Sequence, residues 1–293
     1  MKLTEYAQHA INEYGPEGDQ TFEYLGIILD HKHIIERRMY HVDSKSSDVM
    51  MCLKEPYKGI LEKWFPLFSK REDVRLCDFS IDCINDVPLY RIVFYLPYCD
   101  DEKEAENILS SFFQPFTRTD YRDGIKQTMD AFSRVRMIKG MLPSQIGAVC
   151  DQTGNLSALK YYIRWSEEMF DEKAYLHALH QASNVTEKMD RDTSVLFEHN
   201  FRPAFVGIND NGKHREEKEY FITKSLNIPS QRLLQLQISI INELGLSYVI
   251  SKSEITELFH LGLFVEGVAL SSTNSDIVRL YFNLMRTRNN VVK

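Results

Sequence analysis

The chain has 293 residues, with 35 Lys plus Arg against 42 Asp plus Glu, giving a formal net charge of −7 and a pI near 5.8. Hydrophobic residues at 43% and charged residues at 26% make the balance of a globular chain with a sizeable core, which excludes a disordered or fibrous protein. Without a net-basic block, nucleic-acid binding by phosphate neutralisation is excluded, and no window approaches the about 18 uninterrupted apolar residues of a membrane-spanning helix.

In chain order, MKLTEYAQHAINEYG reads as an opening helix without the apolar run of a signal peptide, so the expected location is cytoplasmic. Residues 22–43 then carry two β-type runs, FEYLGIIL and IIERRMYHVD, joined by the polar turn DHKH. Over 48–70, Met51, Leu53, Tyr57, Ile60, Leu61, Trp64 and Phe68 make a helical apolar stripe. A second pair of strands follows over 74–96, VRLCDFSIDC and LYRIVFYL, around INDVP. Residues 101–114 and 119–139 read as a helix pair broken at Pro115, before a third hairpin over 143–165, PSQIGAVC, DQTGNLS, ALKYYIRW. Another helix pair spans 166–181 and 184–199, its start marked by Ser166 and acidic first-turn residues. The fourth hairpin, 202–224, is RPAFVGI, NDNGKHRE, EKEYFITK. Helices over 229–245, from Pro229 to Gly245, and 251–260, opened by Ser251, lead into the fifth hairpin over 261–285, LGLFVEGVAL, SSTNSD, IVRLYFNLM. Asn211-Gly212 and Gly154-Asn155 are tight-turn pairs that support these assignments.

With no Pro/Gly/Ser linker or low-complexity tract, residues 1–293 are expected to form a single domain of α+β class. Ten mostly antiparallel strands with helices between the hairpins suggest one sheet coated by helices on one side. Closing that sheet into a ten-stranded antiparallel barrel removes its edges and leaves a lumen wider than the roughly eight-strand barrel that side chains fill. A ligand chamber is the consequence. Two smaller α+β domains, each with two or three hairpins, are the competing layout. Cys52, Cys77, Cys83, Cys99 and Cys150 lack CxxC or zinc spacing and read as reduced thiols in a core.

Side chains alternate faces along a strand, so the closing strand of each hairpin can be read by parity. Lys160, Tyr162 and Arg164 share one face, as do Lys218 with Tyr220 and Arg279, Tyr281 with Asn283. The first hairpin offers Arg38 with Tyr40, and the second Arg91, Val93 and Tyr95. A cation followed two residues later by a tyrosine thus recurs. For any one strand this is the ordinary solvated face. Where helices coat the outside, however, the polar face of every strand must point inward, and a lumen lined with Arg, Lys and Tyr binds an anion.

These features together resemble the soluble αββα-barrel (ABBA) prenyltransferases, which transfer an isoprenoid from its diphosphate to an aromatic acceptor. The likeness covers nearly the whole chain as five helix-flanked hairpins. Locally, Lys160/Tyr162 and Lys218/Tyr220 resemble the diphosphate-binding pairs of the dimethylallyltryptophan synthase branch. GNLSALKYYIR and VRLYF resemble segments of the cyanobactin peptide prenyltransferases, and VEGVALS the bacterial phenol- and naphthalene-modifying branch. The resemblance implies that Arg38, Arg91, Lys160, Lys218 and Arg279 hold the diphosphate, and that Tyr40, Tyr162, Tyr220 and Tyr281 shield the allylic cation. Asp78, Asp82 and Glu266 are the candidate carboxylates to accept the proton lost on rearomatisation. The implied partners are a prenyl diphosphate and an aromatic small molecule or peptide, with no nucleic acid and no membrane, for a monomer or homodimer. No organic cofactor is implied, and the requirement for Mg2+ differs among branches.

Two other functions compete. A non-catalytic barrel could bind an aromatic or amphiphilic ligand, although a lipid carrier has no use for five inward cations. A magnesium-dependent terpene synthase would use Asp100-Asp101-Glu102-Lys103-Glu104, a loose DDxxE, on an all-helical fold; the same residues read equally as a solvated helix start. His31 with His33, and His177 with His180, lack further ligands at zinc spacing. P-loop, GxGxxG and GxSxG motifs are absent.

Overall fold

The computed structural model describes residues 3–14, 24–29, 34–44, 59, 75–84, 87–95, 107, 141–153, 155–165, 171, 186–210, 215–223, 230–271, 274 and 277–284. The opening helix α1 is Leu3–Tyr14. Five strand pairs follow, β1 (Tyr24–Leu29) with β2 (Ile34–Ser44), β3 (Arg75–Ile84) with β4 (Val87–Tyr95), β5 (Met141–Cys150) with β6 (Leu156–Trp165), β7 (Phe201–Asp210) with β8 (Arg215–Thr223), and β9 (Leu263–Ser271) with β10 (Val278–Leu284). Helix α2 (Glu187–Glu198) precedes β7, and helices α3 (Ser230–Glu243) and α4 (Lys252–His260) precede β9. The expected helices over 48–70, 101–114, 119–139 and 166–181 lie outside the described residues, apart from single positions.

Each strand pairs antiparallel with its chain neighbours, and β1 also pairs with β10, so the ten strands close into a barrel. One ladder through all ten removes the layout of two separate sheets. The strands run longer than the apolar pattern indicates: Ile84 and Val87 belong to strands rather than to the INDVP turn, and β8 begins at Arg215 inside the expected turn NDNGKHRE. Pairing, unlike side-chain alternation, has no need of apolar residues, so a hairpin extends its ladder into polar sequence.

The helices identify the outside of the wall. Phe221 of β8 is fully buried, with its ring centroid 6.1 Å from that of Phe197 on α2. Its cross-strand partner Val268 pairs in turn with Leu280, and both are equally buried. This apolar band gains its stability by removing side chains from water beneath α2, α3 and α4. The opposite face, carrying Lys218 and Tyr220, is therefore the lumen.

The described helix ends have local causes. Thr186 caps α2 by accepting from the Met189 amide at 3.2 Å, and Ser251 with Glu254 forms a reciprocal capping box on α4. After α3, Gly245 adopts φ 69°, letting its own N–H reach the Asn242 carbonyl and the Leu246 N–H the Ile241 carbonyl. That is the left-handed helix stop for which glycine is the least strained residue. Cys150 is buried and in no disulfide among the described residues; the side chains of the other cysteines lie outside the described set.

Candidate active site

The register ties the inner wall together around the whole barrel. Tyr281 pairs with Gly26, Gly26 with Arg37, Arg37 with Asp82 and Asp82 with Leu89. On the same face of β4, Arg91 pairs with Val149, and Val149 with Ala158 of β6. Lys160, on the face of Ala158, pairs with Asn209, which pairs with Glu216 of β8. Tyr220, on the face of Glu216, pairs with Ala269, and Ala269 with Arg279, on the face of Tyr281. Asp78, Asp82, Arg91, Lys160, Tyr162, Lys218, Tyr220, Arg279 and Tyr281 therefore occupy one set of positions, as the parity reading expects.

Arg38 and Tyr40 do not belong to it. They alternate with Arg37, Met39 and His41, the residues paired with Gly26, Tyr24 and Asp78. The Arg37-Arg38 doublet explains the difference: the cation-x-Tyr spacing selects Arg38, whereas backbone pairing ranks Arg37 with Tyr281 through Gly26. The ladder of β9 with β10 shifts register between Tyr281, paired with Gly267, and Phe282, paired with Val265, and Glu266 lies at that shift. It is only 8% exposed and accepts a 2.5 Å hydrogen bond from Asn283 Nδ2.

The cations converge. Lys160, Lys218 and Arg279 are 5%, 3% and 9% exposed. Glu216, absent from the sequence-derived candidates, joins two of them: its Oε2 atom is ion-paired with Lys218 Nζ and lies 3.4 Å from Arg279 Nη2. Burial pushes the Glu216 carboxyl pKa up, but the charges of Arg279 and Lys218, a hydrogen bond from Lys218 and the charge of Lys160 together outweigh this and hold it below the ordinary carboxylate value. Sequence reading missed Glu216 because NDNGKHRE reads as a turn; its spacing from Lys218 was the available signal once β8 is extended by two residues.

Beside the cations lies a row of rings. The centroids of Tyr162 and Tyr220 are 6.0 Å apart, those of Tyr220 and Tyr281 5.8 Å, and those of Tyr162 and Phe205 6.5 Å. Arg91 Nη1 donates to the Tyr162 hydroxyl at 2.9 Å, tying β4 to β6 across the wall. Gly207 pairs with both Tyr162 and Lys218 and gives the rings room, as its bare Cα leaves a surface on which Tyr220 can lie. Among the described residues, the buried Nε and Nη1 of Arg279 and the Tyr281 hydroxyl have no hydrogen-bond partner, nor do the acceptors Glu216 Oε1 and Asn283 Oδ1. Buried donors without acceptors are costly, so their concentration at one place marks a surface shaped for an acceptor-rich ligand. Chemically, the arrangement offers fixed positive charge next to a set of π faces.

Asp100 to Glu104, His31, His33, His177 and His180 fall outside the described residues. Among the described residues, no three or more His, Cys, Asp or Glu gather as a group that could hold a metal ion, and no helix is long and apolar enough to cross a membrane.

Neither a family model nor a curated protein matches the sequence. Solved structures do match the fold. The chain aligns with AnaPT from Neosartorya fischeri at TM-score 0.58 and 10% identity, covering 96% of this chain and 86% of that one. It aligns with 6-dimethylallyltryptophan synthase from Micromonospora olivasterospora, in complex with DMASPP and Trp, at TM-score 0.56 and 10% identity, covering 92% and 84%. The prenyltransferase PriB, in a ternary complex with L-tryptophan and dimethylallyl thiolodiphosphate, aligns at 0.53 and 9% identity, covering 89% and 79%. The fold is that of the αββα-barrel aromatic prenyltransferases. The all-helical fold on which the terpene synthase alternative rests does not fit these ten strands.

Proposed function

We propose that the protein is an aromatic prenyltransferase, moving a dimethylallyl or longer prenyl group from its diphosphate to an aromatic acceptor and releasing diphosphate. The acceptor is an indole or phenol small molecule, or a Trp or Tyr of a peptide. The observation that carries this reading is the meeting of buried Lys160, Lys218 and Arg279 with the row Tyr162, Tyr220 and Tyr281 on the inner wall. The bound Trp and dimethylallyl analogues of two of the similar structures support it.

Ionisation of an allylic diphosphate places growing negative charge on the leaving group and positive charge on the allyl fragment. In this reading Lys160, Lys218 and Arg279, with Arg91, stabilise the former because they are in place before the charge develops. The tyrosine faces stabilise the latter and keep out the water that would quench it. The acceptor ring sits against C1 of the allyl group, and a carboxylate takes the proton released as aromaticity returns. Glu266 is the favoured acceptor because it is buried and oriented by Asn283. Asp78 and Asp82 are the other candidates on the same register set, and Arg37 takes the register position for which Arg38 was expected.

We read residues 1–293 as one domain, with the αββα repeat completed by outer helices beside every hairpin, acting as a monomer or homodimer. Where a magnesium ion enters with the diphosphate, the buried Oε1 of Glu216, which has no hydrogen-bond partner among the described residues, would be an oxygen donor for it alongside phosphate oxygens.

The test is incubation with dimethylallyl and geranyl diphosphate against a panel of indoles, phenols and cyclic peptides, read by mass. Tryptophan and simple indoles come first. A product one prenyl unit heavier is expected. Tight binding of a prenyl diphosphate without transfer to any acceptor would instead favour the non-catalytic barrel.

A further inference from the structure

We propose that Glu216 is a resident counter-anion of the diphosphate site, which competes with the ligand for Lys218 and Arg279 and so weakens the retention of product diphosphate. The inference rests on the anion-site reading above and adds a residue that works against binding within it.

The geometry gives the reason. Glu216 Oε2 already occupies both cations, ion-paired with Lys218 Nζ and 3.4 Å from Arg279 Nη2. The remaining Arg279 donors, Nε and Nη1, are buried without partners among the described residues, so the guanidinium still has a face for an incoming anion. A diphosphate reaching that face and Lys218 meets the fixed negative charge of the half-buried Glu216, whose buried Oε1 atom has no hydrogen bond among the described residues to hold it away from the ligand. Like charges at such a distance repel strongly where the dielectric is low. A phosphate oxygen that takes over Lys218 must therefore displace the carboxylate. On departure of the product, the carboxylate returns to the same cations and offsets the cost of exposing them to one another. Without such an anion, three buried cations would hold diphosphate tightly, and release of a tightly held product limits turnover in many enzymes. The groups facing Glu216 here are Arg279, Lys218 and Lys160, all cationic, so its charge is stable at neutral pH.

The test is titration calorimetry of the full chain with inorganic diphosphate in EDTA, which removes any bridging by divalent ions. Glu216→Gln keeps the shape and removes the charge, and is expected to tighten diphosphate by about 10-fold or more. Unchanged or weaker binding by Glu216→Gln would overturn the proposal and make the carboxylate a positioning residue for the cations. Glu216→Asp retains the charge while withdrawing it by one methylene, and keeps the question open to measurement if the glutamine variant does not fold. Intermediate tightening is expected for it, and binding equal to or weaker than that of the unmodified chain counts against the idea. Lys218→Ala separates the two levels of inference. If the unmodified chain and Glu216→Gln both fail to bind diphosphate, and Lys218→Ala changes nothing, the anion-site reading fails together with this one. If diphosphate binds and Lys218→Ala weakens it while Glu216→Gln does not tighten it, only the counter-anion role fails.

Discussion

Gly207→Ala is a sensitive test of the inner wall, because two effects of opposite sign meet there. Glycine is the residue most weakened by ordering in a strand, so alanine by itself would stabilise by about 0.5–1 kcal/mol. Against this, a Cβ built on Gly207 lies 2.6 Å from Tyr220 Cε2 and 3.3 Å from Tyr162 Cε1. Carbon atoms prefer roughly 3.5–4.0 Å, so the Tyr220 ring has to recede by about 1 Å. Its path is constrained, since the ring is flanked by Tyr162 and Tyr281 at centroid distances of 6.0 and 5.8 Å. Overpacking of that kind costs about 1–3 kcal/mol. The net expectation is a loss of about 0.5–2 kcal/mol in urea unfolding, together with a raised KM for the prenyl donor as the ring enters its space. Combining Gly207→Ala with Tyr220→Leu is expected to recover most of the stability, because the clash and its remedy share one contact. A single Gly207→Ala variant that is more stable than the parent, with unchanged donor kinetics, would refute the placement of Tyr220 over this glycine and with it the aromatic row.

Lys160→Ala or Lys218→Ala is expected to lower the rate of prenyl transfer by roughly 30- to 1000-fold, read as kcat at saturating donor, since each removes a contact that strengthens as the leaving group ionises. Asp101→Asn is expected to leave that rate nearly unchanged; the reverse ranking would move the chemistry to an aspartate-rich helix start. The depressed Glu216 pKa contributes stability that is complete above the ordinary carboxylate pKa and is lost as pH falls through the lower, folded-state value. Urea unfolding from about pH 6 to pH 3 should therefore decline less steeply in Glu216→Gln than in the parent. Ser251→Ala removes the side-chain acceptor for the Glu254 amide and the hydroxyl that pairs with the Glu254 carboxylate, and should cost about 1 kcal/mol by the same assay.

The parts of this site that could be read from sequence were those set by periodicity. Lys160/Tyr162 and Lys218/Tyr220 are each two residues apart within one strand and with no register shift between them, so parity places each pair on one face before any pairing is known. Their convergence was not legible, because it depends on which residue of β7 faces which residue of β6 and β8. Arg37 and Arg38 illustrate the limit: adjacent arginines satisfy the same cation rule on opposite faces, and only pairing with Gly26 separates them. Glu216 was hidden by composition, since Asn209, Asp210, Asn211 and Gly212 are turn formers and the polar residues after them carry no apolar alternation to mark where the ladder resumes. Glu266 is a candidate carboxylate from the sequence, but its contact with Asn283 lies beside the local irregularity of the β9–β10 ladder, which strict alternation cannot foresee.

Closure of the sheet links these local features to chemistry. In an open sheet with helices on one side, the polar face meets water, and Lys160, Lys218 and Arg279 would be ordinary solvated cations whose charges are screened. Bending the same ladder until β10 meets β1 turns that face inward without changing a residue. Cations that were inexpensive in water then lose most of their solvent, and the protein must supply an anion to each or leave them for a ligand. Glu216 satisfies part of that demand, and the Arg91 contact with Tyr162 another part. What remains among the described residues, Arg279 Nε and Nη1 and the Tyr281 hydroxyl against the acceptors Glu216 Oε1 and Asn283 Oδ1, still carries more donors than acceptors, and its donors include a guanidinium. An electroneutral lipid relieves none of it, whereas a diphosphate brings acceptor oxygens and negative charge together, and an attached allyl group reaches the tyrosine row beside it. The excess of positive charge and donors among the described residues of the inner wall therefore favours the proposed binding of a prenyl diphosphate over carriage of a neutral ligand, and it comes from residues that closure, rather than any local motif, brings together.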